Sequence, residues 1–574
     1  MKNLEIAGIF EHLADVIEIK GGEPFRVNAY RRAARVLSDL PEDIAAVAEE
    51  GRLTELAGVG KGTAAKIEEY LETGAVSAYD QEMKGVPEGL LELLAIPGLG
   101  PKTIGLLWRE LDVRSVKGLR RELRRGSIPT LPGMGAKKAE NIAAGLRAYA
   151  SRSGRSTLGS ILPTAEAILT DLRGHDAVLA ADLAGSVRRR RETIGDIDVL
   201  AASNRPGEVI EAFTELSCVE EVLASGETKA SARVEGALQV DLRVVEPASY
   251  GAALLYFTGS RDHNVHLRGL AQERGARLNE YGLTKGGRKL AGRTEEAVYH
   301  KLGLAYIPPE LREDRGEIEA AAEGELPDLL TVDVLRGDLH VHSDWSDGLA
   351  GIETVARAAK SRGYSYVAIT DHSHSLGVAN GLSVERLRKQ RKEIERVNRS
   401  VKGIRVLAGT EVDILSDGTI DFPDEELARL DVVVASIHSG FRQPEDRITK
   451  RMVAACGNPH VDIIAHPTGR LLEHREPYAV DLERVMAAAA ETGTALEINA
   501  HHERLDLNDV NARRAVQMGA SLVINTDAHN TDQLWSIELG VATARRGWVE
   551  SGDVLNTLTP AKLLKRLSDG RASA

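Results

Sequence analysis

"GSVRRRRETIGDIDVL", residues 185–200, joins a glycine-serine turn, four consecutive arginines and two aspartates separated by one apolar residue. Side chains two positions apart on a strand point the same way, so Asp196 and Asp198 share a face. Two carboxylates on one face repel each other, and divalent cations relieve the repulsion. Asp241, in "QVDLRV", completes the cluster if its strand lies beside the first. Three carboxylates hold two Mg2+ or Mn2+ ions about 3.5–4 Å apart, an arrangement suited to phosphoryl transfer. In that reading Gly185 and Ser186 form the turn that meets a triphosphate, and Arg189 neutralises charge on the leaving pyrophosphate. Arg188, Arg190 and Arg191 read as a solvated or template-facing patch. For the Asp-x-Asp pair alone, an exposed strand after a solvated loop is the simpler account. The longer pattern is more demanding: Gly-Ser, nine residues, Asp-x-Asp, then a third Asp on a later strand.

The 574 residues exceed one ordinary core and suggest two to four domains. Composition is that of a globular chain, 43% hydrophobic and 28% charged, with no apolar run long enough to span a bilayer and no apolar leader at the start. The two cysteines, Cys218 and Cys456, have no paired spacing, which argues against a disulfide framework and fits a reducing cytoplasm. The net charge of −13 argues against a polyanion partner only if charge is spread evenly, and one acidic domain can mask a basic groove. Of the 16 histidines, five precede Gly337 and eleven follow it, which marks a boundary in chemistry.

Residues 1 to about 150 read as short amphipathic helices. One pattern recurs in them: "LAGVGKGTAAKI" (56–67), "IPGLGPKTIGLL" (96–107) and "LPGMGAKKAENI" (131–142). Each places a Gly-apolar-Gly turn (Gly58 and Gly60, Gly98 and Gly100, Gly133 and Gly135) before a helix with lysine close behind. Glycine lets the backbone approach closely, and free N–H groups at a helix start bind phosphate oxygens. The three copies resemble helix-hairpin-helix modules, which hold DNA backbones without reading sequence.

Beyond an acidic stretch, "REDRGEIEAAAEGELPD", taken as a linker, seven strand-like runs end in residues fit for ligation: "GDLHVHS", "VAITDHS", "RVLAGTEVD", "VVVASIHS", "DIIAHPT", "ALEINAH" and "LVINTDAH". In a β/α barrel the loops after the strands meet at one face. His340, His342, Asp347, His372, Glu411, His438, His466, Asp527 and His529 would meet there as a polynuclear metal centre. Mixed imidazole and carboxylate ligands suit Mn2+, Zn2+ or Fe2+ better than Mg2+. His374, His501 and His502 lie near this rim. Arg470 is a candidate phosphate contact, and Asn499 a residue that orients phosphate or water.

The Gly-Ser…Asp-x-Asp…Asp pattern resembles the nucleotidyltransferase superfamily. "YFTGSRDHNVHLRGLAQERGARLNEYGL" (256–283) is similar to the stretch of family X DNA polymerases that runs from sugar pocket to thumb. That resemblance implies that Tyr256 and Phe257 border the incoming deoxyribose. It also implies that Asn264 and Arg268 reach the nascent pair and the template. Arg190 stands where animal members commonly have glycine. Lys66 matches the lysine that lyase-active members use as a Schiff-base nucleophile, but Glu68 and Glu69 follow it, and Gly62 stands where a second lysine is common. These features weigh for a structural lysine.

The histidine-rich set resembles the PHP (polymerase and histidinol phosphatase) domain that many bacterial family X polymerases carry. By that resemblance His340, His342, Glu411 and Asp527 hold one ion, Glu411, His438 and His466 a second, and Asp347, His372 and His529 a third. The implied organisation is a lyase-like helical domain (1–80), helix-hairpin-helix fingers (81–150), an α/β nucleotidyltransferase palm (151–250), a thumb (251–315), a linker (316–336) and a distorted β/α barrel (337–574). The implied function is gap-filling synthesis from dNTPs on gapped or nicked duplex DNA, by a cytoplasmic monomer. A metal-dependent 3′–5′ exonuclease or abasic-site phosphodiesterase would lie in the barrel. Two other readings remain: a small-molecule nucleotidyltransferase with an appended phosphatase, and a non-catalytic DNA-end scaffold.

Overall fold

In the computed structural model, the three glycine turns near the N-terminus break the chain in the same way. A short 3-10 turn (Leu53–Glu55, Leu93–Ala95, Ile128–Thr130) leads into a glycine at positive φ, +105° at Gly58, +83° at Gly98 and +73° at Gly133. Gly60 and Gly100 then cap the helices Lys61–Thr73 and Pro101–Leu111 with extended backbone, and Gly135 precedes Ala136–Arg152. A Cβ added at Gly98 or Gly133 would meet nothing within 4 Å, so backbone conformation rather than crowding selects glycine there.

The structure describes residues 2–573 other than 39, 41, 43, 57, 88, 97, 153, 154 and 235–237. They divide into two units. The first, built on residues up to 152, is α-helical and has two apolar clusters. One gathers Phe10, Leu13, Tyr30, Leu37 and Ile67, the other Val16, Ile19, Leu90, Ile104 and Ile142.

The larger unit begins at Arg155. Its first sheet contains β1 (Ala180–Leu183), β2 (Asp196–Ala202), β3 (Val219–Ser225), β4 (Lys229–Val234) and β5 (Leu238–Val245), in the spatial order β1-β2-β5-β4-β3. Only β2 and β5 pair in parallel. The helices Leu158–Arg173 and Pro206–Thr214 cover one face of this sheet through Ile161, Ile168, Val209 and Phe213.

The helices Tyr250–Thr258 and Arg261–Glu273 and a small antiparallel sheet of β6 (Arg277–Asn279), β7 (Gly282–Lys285) and β8 (Arg288–Ala291) follow. Buried charge organises this part. Arg312, fully buried between the rings of Tyr299 and Tyr306, donates to Glu295 at 2.7 Å. Arg188 forks onto the same carboxylate at 2.8 and 2.7 Å and donates to Thr258 at 2.7 Å. Burial works to raise the Glu295 pKa, but Arg312 and Arg188 outweigh it and hold it at about 2. Arg188 is therefore a half-buried ion-pair partner of a buried carboxylate, not the solvated or template-facing residue its neighbours in sequence suggest. The stretch 316–336, expected as a linker, contains the helix Glu317–Glu323 with Ile318 and Ala321 buried. Glu317 accepts from His263 and from the backbone N–H groups of Asp314 and Arg315, which fixes the segment to the preceding fold.

The last region is a parallel sheet of seven strands in chain order: β9 (Gly337–Val341), β10 (Tyr366–Ile369), β11 (Arg405–Asp413), β12 (Val432–Ser436), β13 (Ile463–Ile464), β14 (Ala495–Asn499) and β15 (Leu522–Asn525). The N–H of His342 donates to Ala528 at 2.9 Å and that of Asp527 to His340 at 3.0 Å, which brings the last strand's end to the first and nearly closes a barrel. The strands are buried on both faces, the condition for near-continuous apolar runs. Leu505 and Leu539 from this region sit in the same apolar cluster as Leu158, Leu183 and Val199 of the first sheet.

Glu295→Ala would strand Arg312 in the interior without its counter-charge. Urea unfolding of the full chain is expected to show a loss of about 3–5 kcal/mol, and an unchanged midpoint would show that the pair does not hold this region together.

Candidate active sites

Parallel pairing puts Asp198 directly opposite Asp241, and Asp196 lies one face-repeat earlier on β2. One carboxylate oxygen from each of the three lies within 4.8 Å of the others. Burial, then the charges of Asp196 and Asp241, push the Asp198 carboxyl up to about 7. Asp196 is raised by burial and by Asp241. Such a cluster is short of cations, which is the electrostatic condition for binding Mg2+ or Mn2+. Gly185, at φ +56°, lies against this cluster, and a Cβ there would fall 2.0 Å from Asp198 Oδ2. The glycine is thus required both by conformation and by close approach, and the half-buried Ser186 follows it.

The rest of the loop turns toward the thumb-like part. Arg189 donates from Nε to Glu313 at 3.1 Å and from Nη1 to the Thr258 carbonyl. Arg191 lies 3.8 Å from Glu313, and Arg190 lies 3.9 Å from Glu166. Arg190 adopts φ +54°, the left-handed region where glycine is favoured. Tyr256 and Phe257 meet edge to face at 5.1 Å, with the Arg243 guanidinium 4.6 Å over the Phe257 ring. Asn264 donates to the Tyr256 carbonyl at 2.7 Å, while its buried Oδ1 has no hydrogen-bond partner. Arg268, half-buried, lies one turn further along that helix. In the N-terminal unit, Lys66 donates to the Gly62 carbonyl at 3.0 Å and lies 5.9 Å from the centre of the Tyr30 ring.

At the carboxyl end of the barrel the strands deliver a second cluster. His340, His342 and Asp527 each offer an atom within 4.8 Å of one another, and so do His342, Asp347, His372 and His529. His342 stacks between His372 (4.4 Å) and His529 (4.2 Å). Glu411 reaches His466 at 3.0 Å, His372 at 2.8 Å, His340 at 3.5 Å and His342 at 3.6 Å. His438 follows β12 after one residue. Nε2 of His340 and Nδ1 of His342 are buried without a hydrogen bond, which is unfavourable unless an ion takes the lone pairs. Burial works against charge on His340, but Glu497, Asp527 and Glu411 outweigh it and raise its pKa well above the ordinary value. Burial beside His529 and His372 takes His342 the other way, down to about 3. Two of the nine, His466 (φ +29°) and Asp527 (φ +54°), adopt left-handed backbone despite carrying side chains. Such strain clusters at functional sites.

A supporting layer lies behind these residues, and one member of it, Glu497, escapes the sequence reading. It accepts from His340 Nδ1 at 2.8 Å, from the His466 N–H at 2.9 Å and from the amides of Asn499 and Asn525 at 3.1 and 3.0 Å. It lies inside a strand two residues before Asn499 and reads as a core position; only its counter-charge to His340 distinguishes it. Asn499 also donates to Asp527 at 3.1 Å. Arg470 is not a free phosphate contact. It is buried and donates to the Arg504 and Leu505 carbonyls and to Glu192. His502 lies 3.3 Å from Thr157 and stacks on His501 at 4.9 Å, and His374 is exposed.

Comparison with known families agrees with this geometry. The helix-hairpin-helix domain matches residues 1–76, a SAM-like helix-hairpin-helix tandem 90–148, the DNA polymerase beta thumb 253–313 and the PHP domain 338–501. The architecture is that of the DNA polymerases that carry a PHP domain. The chain is 42% identical over 560 residues to the DNA polymerase/3′-5′ exonuclease PolX of Bacillus subtilis (strain 168), covering 97% of each, and it belongs to the PolX family. A probable phosphatase of Thermoanaerobacter sp. (strain X514) is 31% identical over 232 residues, 38% of this chain and 89% of that protein. Among the described residues, no helix is long and apolar enough to cross a membrane.

Two outcomes follow from the electrostatics. Native Asp198 keeps a proton to about pH 7 that the unfolded chain releases near 4, so its contribution to stability is lost as pH rises through that window. Metal-free thermal melts from pH 5 to 8 are expected to fall more steeply for wild type than for Asp198→Asn, and Mg2+ is expected to remove the difference. Glu497→Ala, which takes away the carboxylate that orients His340, is expected to weaken Mn2+ binding by about 10–100-fold in a calorimetric titration.

Proposed function

We propose that the chain fills short gaps in duplex DNA during repair, adding nucleotides from dNTPs. We propose further that its PHP domain hydrolyses phosphodiesters at 3′ ends, with abasic sites as a further substrate. The observation that carries the reading is the in-register pair Asp198 and Asp241 with Asp196 beside them, under a turn whose glycine leaves room for nothing but backbone. Asp196, Asp198 and Asp241 would hold two Mg2+ or Mn2+ ions. Divalent ions, when bound, supply Lewis acidity to phosphoryl oxygens and lower the pKa of a coordinated water.

The chain's own residues do the remaining work. Backbone at Gly185 and the Ser186 hydroxyl receive the triphosphate, and Arg189 leaves Glu313 to meet the pyrophosphate. Tyr256 and Phe257 wall the sugar, and Asn264 and Arg268 face the base pair and template. The three glycine turns at Gly58, Gly98 and Gly133 hold the DNA by its phosphates, so the interaction is sequence-independent and falls with salt. In the barrel, His340, His342, Glu411 and Asp527 would hold one Mn2+, Zn2+ or Fe2+ ion, Glu411 and His466 a second, and Asp347, His372 and His529 a third. His438, two residues past the end of β12, is assigned to the second by the resemblance. Domain limits at 80, 150, 250, 315 and 336, a monomeric state and a cytoplasmic setting complete the proposal. The resting partners of Lys66 favour its structural role over the lyase role.

On 5′-labelled gapped DNA, Asp198→Ala is expected to lose extension by more than about a hundredfold and keep strand shortening, and His342→Ala to do the reverse. Shortening at wild-type rate by His342→Ala would remove the nuclease from the barrel. Hydrolysis of a small phosphate ester by that site would then favour the phosphatase reading that the relatives of the barrel suggest.

A further inference from the structure

The barrel domain holds the arginine loop of the sheet domain from outside. Arg546, at the end of the helix Ile537–Arg546 and 4% exposed at its side chain, donates from Nη1 to the Arg189 carbonyl at 2.7 Å and to Glu313 at 3.1 Å. Its Nη2 donates to Asp509 at 2.8 Å, and Asp509 also accepts from Arg315 at 3.0 Å. Glu313 is the carboxylate that holds Arg189 Nε. A second tie lies at the other end of the loop, where Arg470 meets Glu192 at 2.8 Å. Of the two residues between these anchors, Arg190 adopts φ +54°. A side chain in that region is strained and persists only when its surroundings hold it. The carbonyl immediately before it is the one that Arg546 grips. Backbone hydrogen bonds from Arg189 N–H to the Gly185 carbonyl and from Arg191 N–H to the Ser186 carbonyl transmit the constraint to the turn over Asp198.

We propose that Arg546 is a positioning residue for nucleotide addition: from the PHP domain it fixes the Arg189–Arg190 peptide, and so sets the Gly185–Ser186 turn that receives the triphosphate. The inference rests on the reading of that turn as the triphosphate site. Without Arg546 the Arg189 carbonyl loses its charged donor and Glu313 loses one of its cations, so the loop relaxes away from its strained form. Binding of the dNTP must then restore the loop, which appears in KM. The groups of the barrel's metal centre are untouched.

The test uses the full-length chain, gapped DNA and a single dNTP. Arg546→Met keeps the stem packed and removes every donor, and is expected to raise the KM for dNTP by about tenfold or more with kcat changed by less than about twofold. Strand shortening by the PHP site should match wild type. Arg546→Lys, which restores one cationic donor, is expected to recover part of the KM. Ser186→Ala serves as the control for the underlying reading. If Ser186→Ala raises KM and Arg546→Met does not, the positioning role is wrong. If Ser186→Ala leaves KM alone, the triphosphate assignment fails first. A parallel fall of extension and shortening with a lowered melting temperature would reduce Arg546 to a structural residue and overturn the proposal. Should Arg546→Met give no folded protein, Arg546→Lys decides: a raised KM at wild-type shortening supports the role, and an unchanged KM refutes it.

Discussion

Like charges forced together by a backbone that gives them no choice are the constraint on which this molecule depends. The hydrogen-bond register of β2 with β5 fixes Asp198 opposite Asp241, and neither aspartate can relax without breaking the ladder that buries Ile197, Val199, Val240 and Leu242. The sheet's apolar interior thus supplies the free energy that holds three carboxylates at a distance they would not choose. The barrel solves the same problem with opposite signs side by side. Its imidazoles and carboxylates partly neutralise one another: burial disfavours charge on both His340 and His342, but the carboxylates around His340 outweigh it, while His342 lies between two other imidazoles and goes down.

The periodicities of two and of strand–helix alternation were legible because they repeat. Asp-x-Asp on a strand, three Gly-apolar-Gly turns and seven strands that each end in a ligand-type residue are local patterns that survive translation into coordinates. The residues that sequence reasoning missed or misassigned share one property: their partners are distant in the chain. Arg188 looks like one of four interchangeable arginines until Glu295 is found 107 residues on, buried beside Arg312. Arg470 follows a ligand loop and suggests phosphate, yet Glu192 lies 278 residues before it. Glu497 reads as an odd charge in a buried strand. No window of sequence carries those pairings, since they follow from how the sheet, the thumb-like part and the barrel pack.

The acidic segment 316–336 teaches a related lesson. Acid-rich, glycine-containing stretches are ordinarily solvated connectors, and composition alone gave no reason to think otherwise. What folds it is the conversion of one acid, Glu317, into a helix-start acceptor that also meets a buried histidine. Charge here acts as an ordering element because Glu317 finds donors in His263 and in the backbone just before its own helix.

The apolar cluster that Leu505 and Leu539 share with Leu158 and Leu183 has a consequence for how such a chain can change over time. Truncation sheds a domain cleanly only where few contacts cross its boundary. Here truncation would open the sheet's core to water and leave a greasy scar on the remaining enzyme. Loss of the second activity would instead proceed by erosion, ligand by ligand, with the barrel retained as scaffolding long after its metals were gone.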